Sequence, residues 1–168
     1  MNINLKINYF MKALSTILLL SFSLLLSAQN CPPCEGTLST NMPLEENASY
    51  SGCIENNKFN GYGIYTSNKF EYKGCWENGV QNGQGISTGY ENGSKVRTYK
   101  GNWENGVQNG QGKYIFYDEN GKASKVYNGN WENGVQNGQG EMTLYKNGTI
   151  VWTYNGNWEN GVQNGQGI

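Results

Sequence analysis

The 168-residue sequence contains no histidine and only three prolines. Histidine is the side chain that most often changes charge near neutral pH, so its absence removes the commonest general base and a frequent metal ligand. A glutamate recurs beside a tryptophan in four sequence repeats, but successive copies would lie about 10 Å apart along a sheet and could not converge on one bond or one metal ion. These carboxylates are Glu77, Glu104, Glu132 and Glu159. The sequence predicts no catalytic residue, no metal site and no cofactor, and therefore no enzyme.

Charge is also scarce, with 12 basic and 13 acidic residues and a formal net charge of −1. A mature chain without residues 1–29 would lose Lys6 and Lys12 but no acid, and would be more negative still. No basic run follows the N-terminal region. Nucleic acid is therefore excluded as an expected partner, and an anionic lipid surface is disfavoured.

Only one long apolar run is present, at residues 13–27, and it is shorter than the roughly 20 residues that a membrane span needs. Lys12 precedes it, and the small residues Ser27 and Ala28 stand at its end, a pattern typical of a secretory signal peptide cleaved near Gln29. We expect residues 1–29 to be removed and the protein to be secreted, periplasmic or in the cell envelope. An uncleaved anchor and a lipoprotein attached through Cys31 are the alternatives, the latter disfavoured by the residues that precede this cysteine.

The 24 glycines, 12 tyrosines and five tryptophans are arranged in tandem repeats. The segment WENGVQNGQG occurs four times unchanged, and a tyrosine stands four residues before each copy, at spacings of 27 or 28 residues. The tyrosine and tryptophan pairs are Tyr72 and Trp76, Tyr99 and Trp103, Tyr127 and Trp131, and Tyr154 and Trp158. A divergent copy begins at Tyr50, with Ile54 in the tryptophan position. The pattern predicts a linker at 30–49 and an array at 50–168, with one divergent and four near-identical repeats, the last truncated.

Each repeat has the pattern of a β-hairpin. Tyr-x-Gly-x-Trp alternates with period 2, so its aromatic residues share one face of a strand. Asn78-Gly79 and its equivalents predict tight turns, and the glycines of the return strand leave space for bulky rings over the backbone. Further turns are expected between copies, at Asn92-Gly93, Asn120-Gly121 and Asn147-Gly148. The sequence therefore predicts an all-β meander of hairpins.

These motifs resemble the MORN (membrane occupation and recognition nexus) repeat, Tyr-x-Gly-x-Trp-x-x-Gly-x-x-x-Gly-x-Gly, which residues 72–85 and their three later copies match at every fixed position. The resemblance implies an elongated, single-layer antiparallel sheet that serves scaffolding, protein contact or membrane association. Repeats in the family are usually about 23 residues long, which implies longer connecting hairpins here. Turn residues that are often basic in the family are Val80, Gln81 and Asn82 in this chain, which argues against phospholipid binding.

Four cysteines in an exported protein predict disulfides. Cys53 and Cys75 occupy the same position of successive repeats and would lie two strands, or about 9.6 Å, apart, beyond the roughly 6.8 Å that a disulfide spans. We therefore expect Cys31 or Cys34 to join the N-terminal segment to the first hairpins. A zinc site formed by the four cysteines would lack the second close pair of a zinc ribbon, and a redox role for Cys-Pro-Pro-Cys would lack a βαβ context.

The aromatic ladder formed by the four tyrosine and tryptophan pairs has two interpretations. It is the core of a single-layer sheet, or its open side binds a ligand, with Tyr114, Phe116 and Trp152 adding apolar surface. The favoured function is an exported, non-catalytic scaffold that contacts a protein partner through this aromatic-lined sheet, with edge-to-edge self-association also possible for an open sheet. The alternatives are a carbohydrate or envelope binder and the N-terminal array of a larger, truncated protein.

Overall fold

A computed structural model describes residues 31–44, 47–165 and 167, so the predicted signal peptide lies outside the described residues. Eleven strands form one antiparallel sheet in which every strand pairs with its neighbours in sequence. The strands are β1 (Thr37–Pro43), β2 (Ser49–Glu55), β3 (Lys58–Thr66), β4 (Phe70–Glu77), β5 (Val80–Glu91), β6 (Ser94–Glu104), β7 (Val107–Tyr117), β8 (Ala123–Glu132), β9 (Val135–Lys146), β10 (Thr149–Glu159) and β11 (Val162–Asn164). The predicted all-β antiparallel meander is confirmed.

Asn-Gly pairs form most of the hairpin turns. Asn78 and Gly79 between β4 and β5 have φ values of 52° and 92°. Positive φ at both residues is typical of the two-residue turn whose twist matches that of the flanking strands. The equivalent pairs in the later repeats have nearly the same values. The connection at Asn120-Gly121 differs, because residues 118–122 form a longer loop in which the Asp118 carboxylate accepts the backbone N–H groups of Asn120 and Lys122.

The register aligns one residue of every strand from β2 to β10 into a row across the sheet, here called the tyrosine row. Seven of its nine members are aromatic because the repeat places a tyrosine on each outgoing strand, while three return strands also contribute aromatic or sulfur-containing side chains. The members are Tyr50, Tyr65, Tyr72, Ser87, Tyr99, Tyr114, Tyr127, Met142 and Tyr154. Because paired residues point to the same side of a sheet, this row defines one aromatic face.

The two long edges of the sheet differ. At the edge formed by the turns within WENG, here called the repeat-turn edge, each turn glycine donates its N–H to a carbonyl of the preceding repeat, as Gly106 does to Gln81 at 2.9 Å. The opposite edge, here called the linker-turn edge, contains the turns at Asn92-Gly93 and Asn147-Gly148 and the 118–122 loop. A side-chain carbon added at Gly93 or Gly148 would meet no atom within 4 Å. The turn glycines of one edge thus bind the preceding repeat, whereas Gly93 and Gly148 at the other edge have no close neighbour among the described residues.

Two disulfides attach the N-terminal segment to the first hairpins. Cys31 bonds to Cys75 and Cys34 bonds to Cys53, across sequence separations of 44 and 19 residues. Cys53 and Cys75 are not joined to each other, in agreement with their predicted two-strand separation. Within the segment expected to be a linker, residues Thr37–Pro43 form strand β1, which pairs with β2.

Candidate contact surface

The predicted aromatic ladder forms the core of the sheet. Seven of its eight members are 0 to 7% exposed, and Tyr154 is half-buried. Each tryptophan makes edge-to-face contacts with the tyrosine of its own repeat and with that of the preceding repeat; for example, the Trp103 ring centroid lies 5.3 Å from Tyr72 and 5.2 Å from Tyr99. These alternating rings connect successive repeats. Most of the ladder is therefore too buried to offer its rings to a partner.

The repeat tyrosines form hydrogen bonds to the backbone at the β-bulge that interrupts the pairing of the strands. The Tyr99 hydroxyl donates to the Asn102 carbonyl at 2.9 Å, and the same bond recurs in all five repeats. The ring lies directly over Gly112 of the return strand, where an added Cβ would be 2.3 Å from the hydroxyl oxygen. Burial raises the pKa of Tyr50 and Tyr127 to about 12. These phenols are hydrogen-bond donors that stay protonated at neutral pH.

A second row on the aromatic face remains accessible. Here called the outer row, it lies two residues from the tyrosine row toward the linker-turn edge. Phe116 and Trp152 are 40% and 39% exposed, with half-buried Leu144 between them, and the Phe116 ring packs on Tyr114 at 4.7 Å. The full row is Phe70, Gly89, Arg97, Phe116, Lys125, Leu144 and Trp152.

Positive charge flanks the apolar part of the outer row. Arg97 lies over Gly89, where a Cβ would meet the guanidinium Nε at 2.7 Å, and the Lys125 ammonium lies 5.6 Å from the centre of the Phe116 ring. The outer row contains two cations and no acid. One acidic side chain lies at each turn of the repeat-turn edge, and Glu91, Asp118 and Glu119 lie at the linker-turn edge outside the row. The outer row is thus apolar and cationic in a chain with a net negative charge.

The opposite face is polar. Gln84, Gln111 and Gln139 each donate a side-chain N–H to the asparagine that stands three residues after the tyrosine of the next repeat; the Gln139 bond to Asn157 is 2.6 Å long. Ile86 is an apolar residue on this face, 37% exposed between Lys73 and Lys100. Ile115 and Val126 pair on the same face and are half-buried, and Ile150 is 58% exposed opposite Tyr145, so the apolar residues of this face lack the exposed rings of the outer row.

The recurring glutamates have a structural partner. The Glu77 carboxylate accepts a hydrogen bond from the Asn82 side-chain amide, and the corresponding asparagine pairs with the glutamate in each repeat. Within residues 31–44, 47–165 and 167, no three histidine, cysteine, aspartate or glutamate side chains cluster as metal ligands would. The same part of the chain contains no helix long and apolar enough to cross a membrane.

Sequence reasoning singled out the aromatic residues of this surface but missed its cations. Tyr114, Phe116 and Trp152 were expected to add apolar surface, and the register places them on the aromatic face. The position of Arg97 and Lys125 beside Phe116 depends on strand pairing across a bulged hairpin and a five-residue loop. Residues two apart in a strand share a face, and Arg97 and Lys125 each stand two residues before a repeat tyrosine. Applying this rule to the residues before each tyrosine would have placed both cations on the aromatic face.

Comparison with known proteins agrees with this architecture. The family model of the MORN repeat matches residues 50–69, 72–94, 99–121, 127–149 and 154–168. A comparison with curated proteins gives no match. The MORN repeat is a non-catalytic repeat type that generally mediates interactions with proteins or membranes. Because the matched segments cover more than half of the chain, the protein belongs to the MORN repeat family.

Proposed function

We propose that this chain is an exported, non-catalytic interaction module that contacts a protein partner through the outer row of its aromatic face. The observation that carries the proposal is the accessibility of Phe116 and Trp152 on a face whose other large rings are buried or half-buried. Exposed aromatic residues supply contact area with little loss of side-chain entropy, and they are enriched where proteins bind one another. The buried ladder would act as the rigid support of this surface.

The charges favour a partner of a particular kind. Arg97 and Lys125 flank Phe116 without an acid in the row. A partner segment with an apolar side chain beside aspartate or glutamate would meet both the ring and the cations. The same cations would repel a basic segment. We therefore expect binding to weaken as salt screens these charges.

Export is supported by the cysteines. The two disulfides use all four cysteines of the chain. Disulfides persist in oxidising compartments and are rare where thiols are kept reduced. Together with the signal-peptide pattern at residues 1–29, the disulfides favour a location outside the cytoplasm.

The test is capture of a partner from envelope extract, with two double variants compared against the unmodified protein. Phe116→Ser with Trp152→Ser removes the apolar part of the outer row. Ile86→Ser with Val107→Ser removes two apolar side chains of similar exposure outside that row and serves as the matched control. Circular dichroism checks that both variants are folded.

We expect one protein to be captured by the unmodified chain and the control but lost with the outer-row variant. Equal capture by all three would contradict the outer-row proposal. Carbohydrate binding is the second candidate, since exposed aromatic rings also stack on sugars. Capture of purified envelope glycan by the unmodified chain, with no protein bound, would favour that candidate over a protein partner.

A further inference from the structure

Six hairpin turns have the sequence Asn-Gly and almost the same backbone shape. The asparagine φ values lie between 49° and 54° and the glycine φ values between 77° and 92°. Four of these turns belong to the repeat-turn edge, at Asn78, Asn105, Asn133 and Asn160. The other two, at Asn92 and Asn147, belong to the linker-turn edge and are exposed. Local sequence and backbone conformation are thus matched between the two edges.

Their hydrogen bonding differs. At the repeat-turn edge each turn glycine donates its N–H to a carbonyl of the preceding repeat at 2.9 Å, from Gly79 to Phe59, Gly106 to Gln81, Gly134 to Gln108 and Gly161 to Gln136. Within the described part of the chain, the N–H groups of Gly93 and Gly148 have no such carbonyl partner. Gly93 and Gly148 are also exposed, whereas the four turn glycines of the repeat-turn edge are half-buried, so solvent reaches the nitrogen that follows Asn92 or Asn147 more readily.

From this difference we propose that Asn92 and Asn147 are sites of spontaneous deamidation in the folded protein, and that the four turns of the repeat-turn edge are protected. The glycine backbone nitrogen loses its proton to a solvent base and attacks the asparagine Cγ. A C–N bond forms and the side-chain amide nitrogen leaves as ammonia, taking its proton from solvent. Water then opens the cyclic imide at either carbonyl and leaves aspartate or isoaspartate.

The inter-repeat hydrogen bond opposes the first step. A donated N–H keeps its proton, and its nitrogen is held in place against the neighbouring strand. Attack at Asn78 would first require the Gly79 bond to Phe59 to break, whereas attack at Asn92 requires no such opening. Loss of one hydrogen bond corresponds to a rate difference of roughly two- to tenfold in favour of the linker-turn edge.

Deamidation would alter the surface next to the outer row. Each event replaces a neutral amide by a carboxylate at the edge nearest Arg97 and Lys125. Isoaspartate also adds a backbone atom to a two-residue turn. The modification would thus accumulate negative charge beside the cations without entering the buried ladder.

Trypsin provides an internally controlled test, because one fragment, residues 74–95, contains Asn78, Asn82 and Asn92. The disulfide-bonded protein is incubated at mildly alkaline pH, then reduced and digested, and conversion at each asparagine is followed by fragment-ion mass spectrometry. We expect Asn92 to convert roughly two- to tenfold faster than Asn78. Asn147 should likewise convert faster than Asn160, which lies with it in residues 147–168.

Two controls separate the fold from the sequence. In reduced, urea-unfolded protein the rates at Asn78 and Asn92 should become similar, because the inter-repeat bond is gone. Gly93→Ala should slow conversion at Asn92 and leave Asn147 unchanged. Equal rates at Asn78 and Asn92 in the folded protein would overturn the proposal, as would an Asn92 preference that persists in urea.

Discussion

Replacing Gly112 by alanine should destabilise the sheet strongly, because Tyr99 occupies the space that the new methyl group would need. The added Cβ would lie 2.3 Å from the Tyr99 hydroxyl oxygen and 2.5 Å from two ring carbons. Carbon atoms in contact are normally about 3.5–4.0 Å apart, so the ring would have to move by about 1 Å or more.

The ring has little freedom to move. Trp103 and Trp131 contact it from two sides, at centroid distances of 5.2 and 5.3 Å, and its hydroxyl donates to the Asn102 carbonyl. Displacement would weaken contacts of about 0.5–1.5 kcal/mol each and leave a partly buried carbonyl unpaired at about 1–3 kcal/mol. Together these losses exceed the roughly 1–3 kcal/mol typical of overpacking, and we expect Gly112→Ala to lower the free energy of unfolding by about 3–5 kcal/mol.

Gly148→Ala is the matched control. Its φ of +82° imposes a strain of about 1–2 kcal/mol, but the new methyl group would meet nothing within 4 Å. Urea unfolding followed by far-ultraviolet circular dichroism, with the disulfides intact, measures both variants. A Gly112→Ala cost no larger than that of Gly148→Ala would refute the reasoning. Gly112→Ala combined with Tyr99→Leu should cost less than the sum of the single changes, and strict additivity would exclude the ring as the cause.

Three further predictions concern buried groups. Tyr127→Phe should cost about 1–3 kcal/mol in urea unfolding, because a carbonyl loses its donor; no cost would show that the bond does not contribute. Burial raises the pKa of Tyr127 from 10.0 to about 12, so its contribution is complete below pH 10 and is lost as the pH rises through 12. Phenolate absorbance should show this late ionisation, and ionisation near pH 10 would contradict it. Removing the Cys31–Cys75 disulfide should destabilise the protein more than removing Cys34–Cys53, by about 0.7 kcal/mol in a chain-entropy estimate, because the Cys31–Cys75 bond closes the longer loop. The measurement compares variants in which both cysteines of one disulfide are replaced by alanine. Equal denaturation midpoints would refute this prediction.

The hairpin architecture could be predicted because its determinants are local. The alternation in Tyr-x-Gly-x-Trp predicts a strand, and Asn78-Gly79 predicts the tight turn that follows it. The close approach of the rings to the return-strand glycines also followed from the repeat and is confirmed at Gly112.

Features that depend on the relation between repeats could not be predicted in the same way. The hydrogen bond from the Gly106 N–H to the Gln81 carbonyl joins separate hairpins, and because it is a backbone bond no residue type in either segment indicates it. Burial of Trp103 between Tyr72 and Tyr99 likewise depends on the stacking of successive repeats. The alternation placed these rings on one face, but it could not decide whether that face was open or filled.

A photo-crosslinking amino acid placed at position 116 tests the proposed contact surface most directly, with the same group at position 86 on the opposite face as the control. Phe116 and Ile86 are similarly exposed, so the two probes sample solvent equally well. In envelope extract we predict a discrete crosslinked protein with the probe at position 116 and none at position 86. Crosslinking at position 86 alone, or of the same protein at both positions, would contradict a partner seated on the outer row.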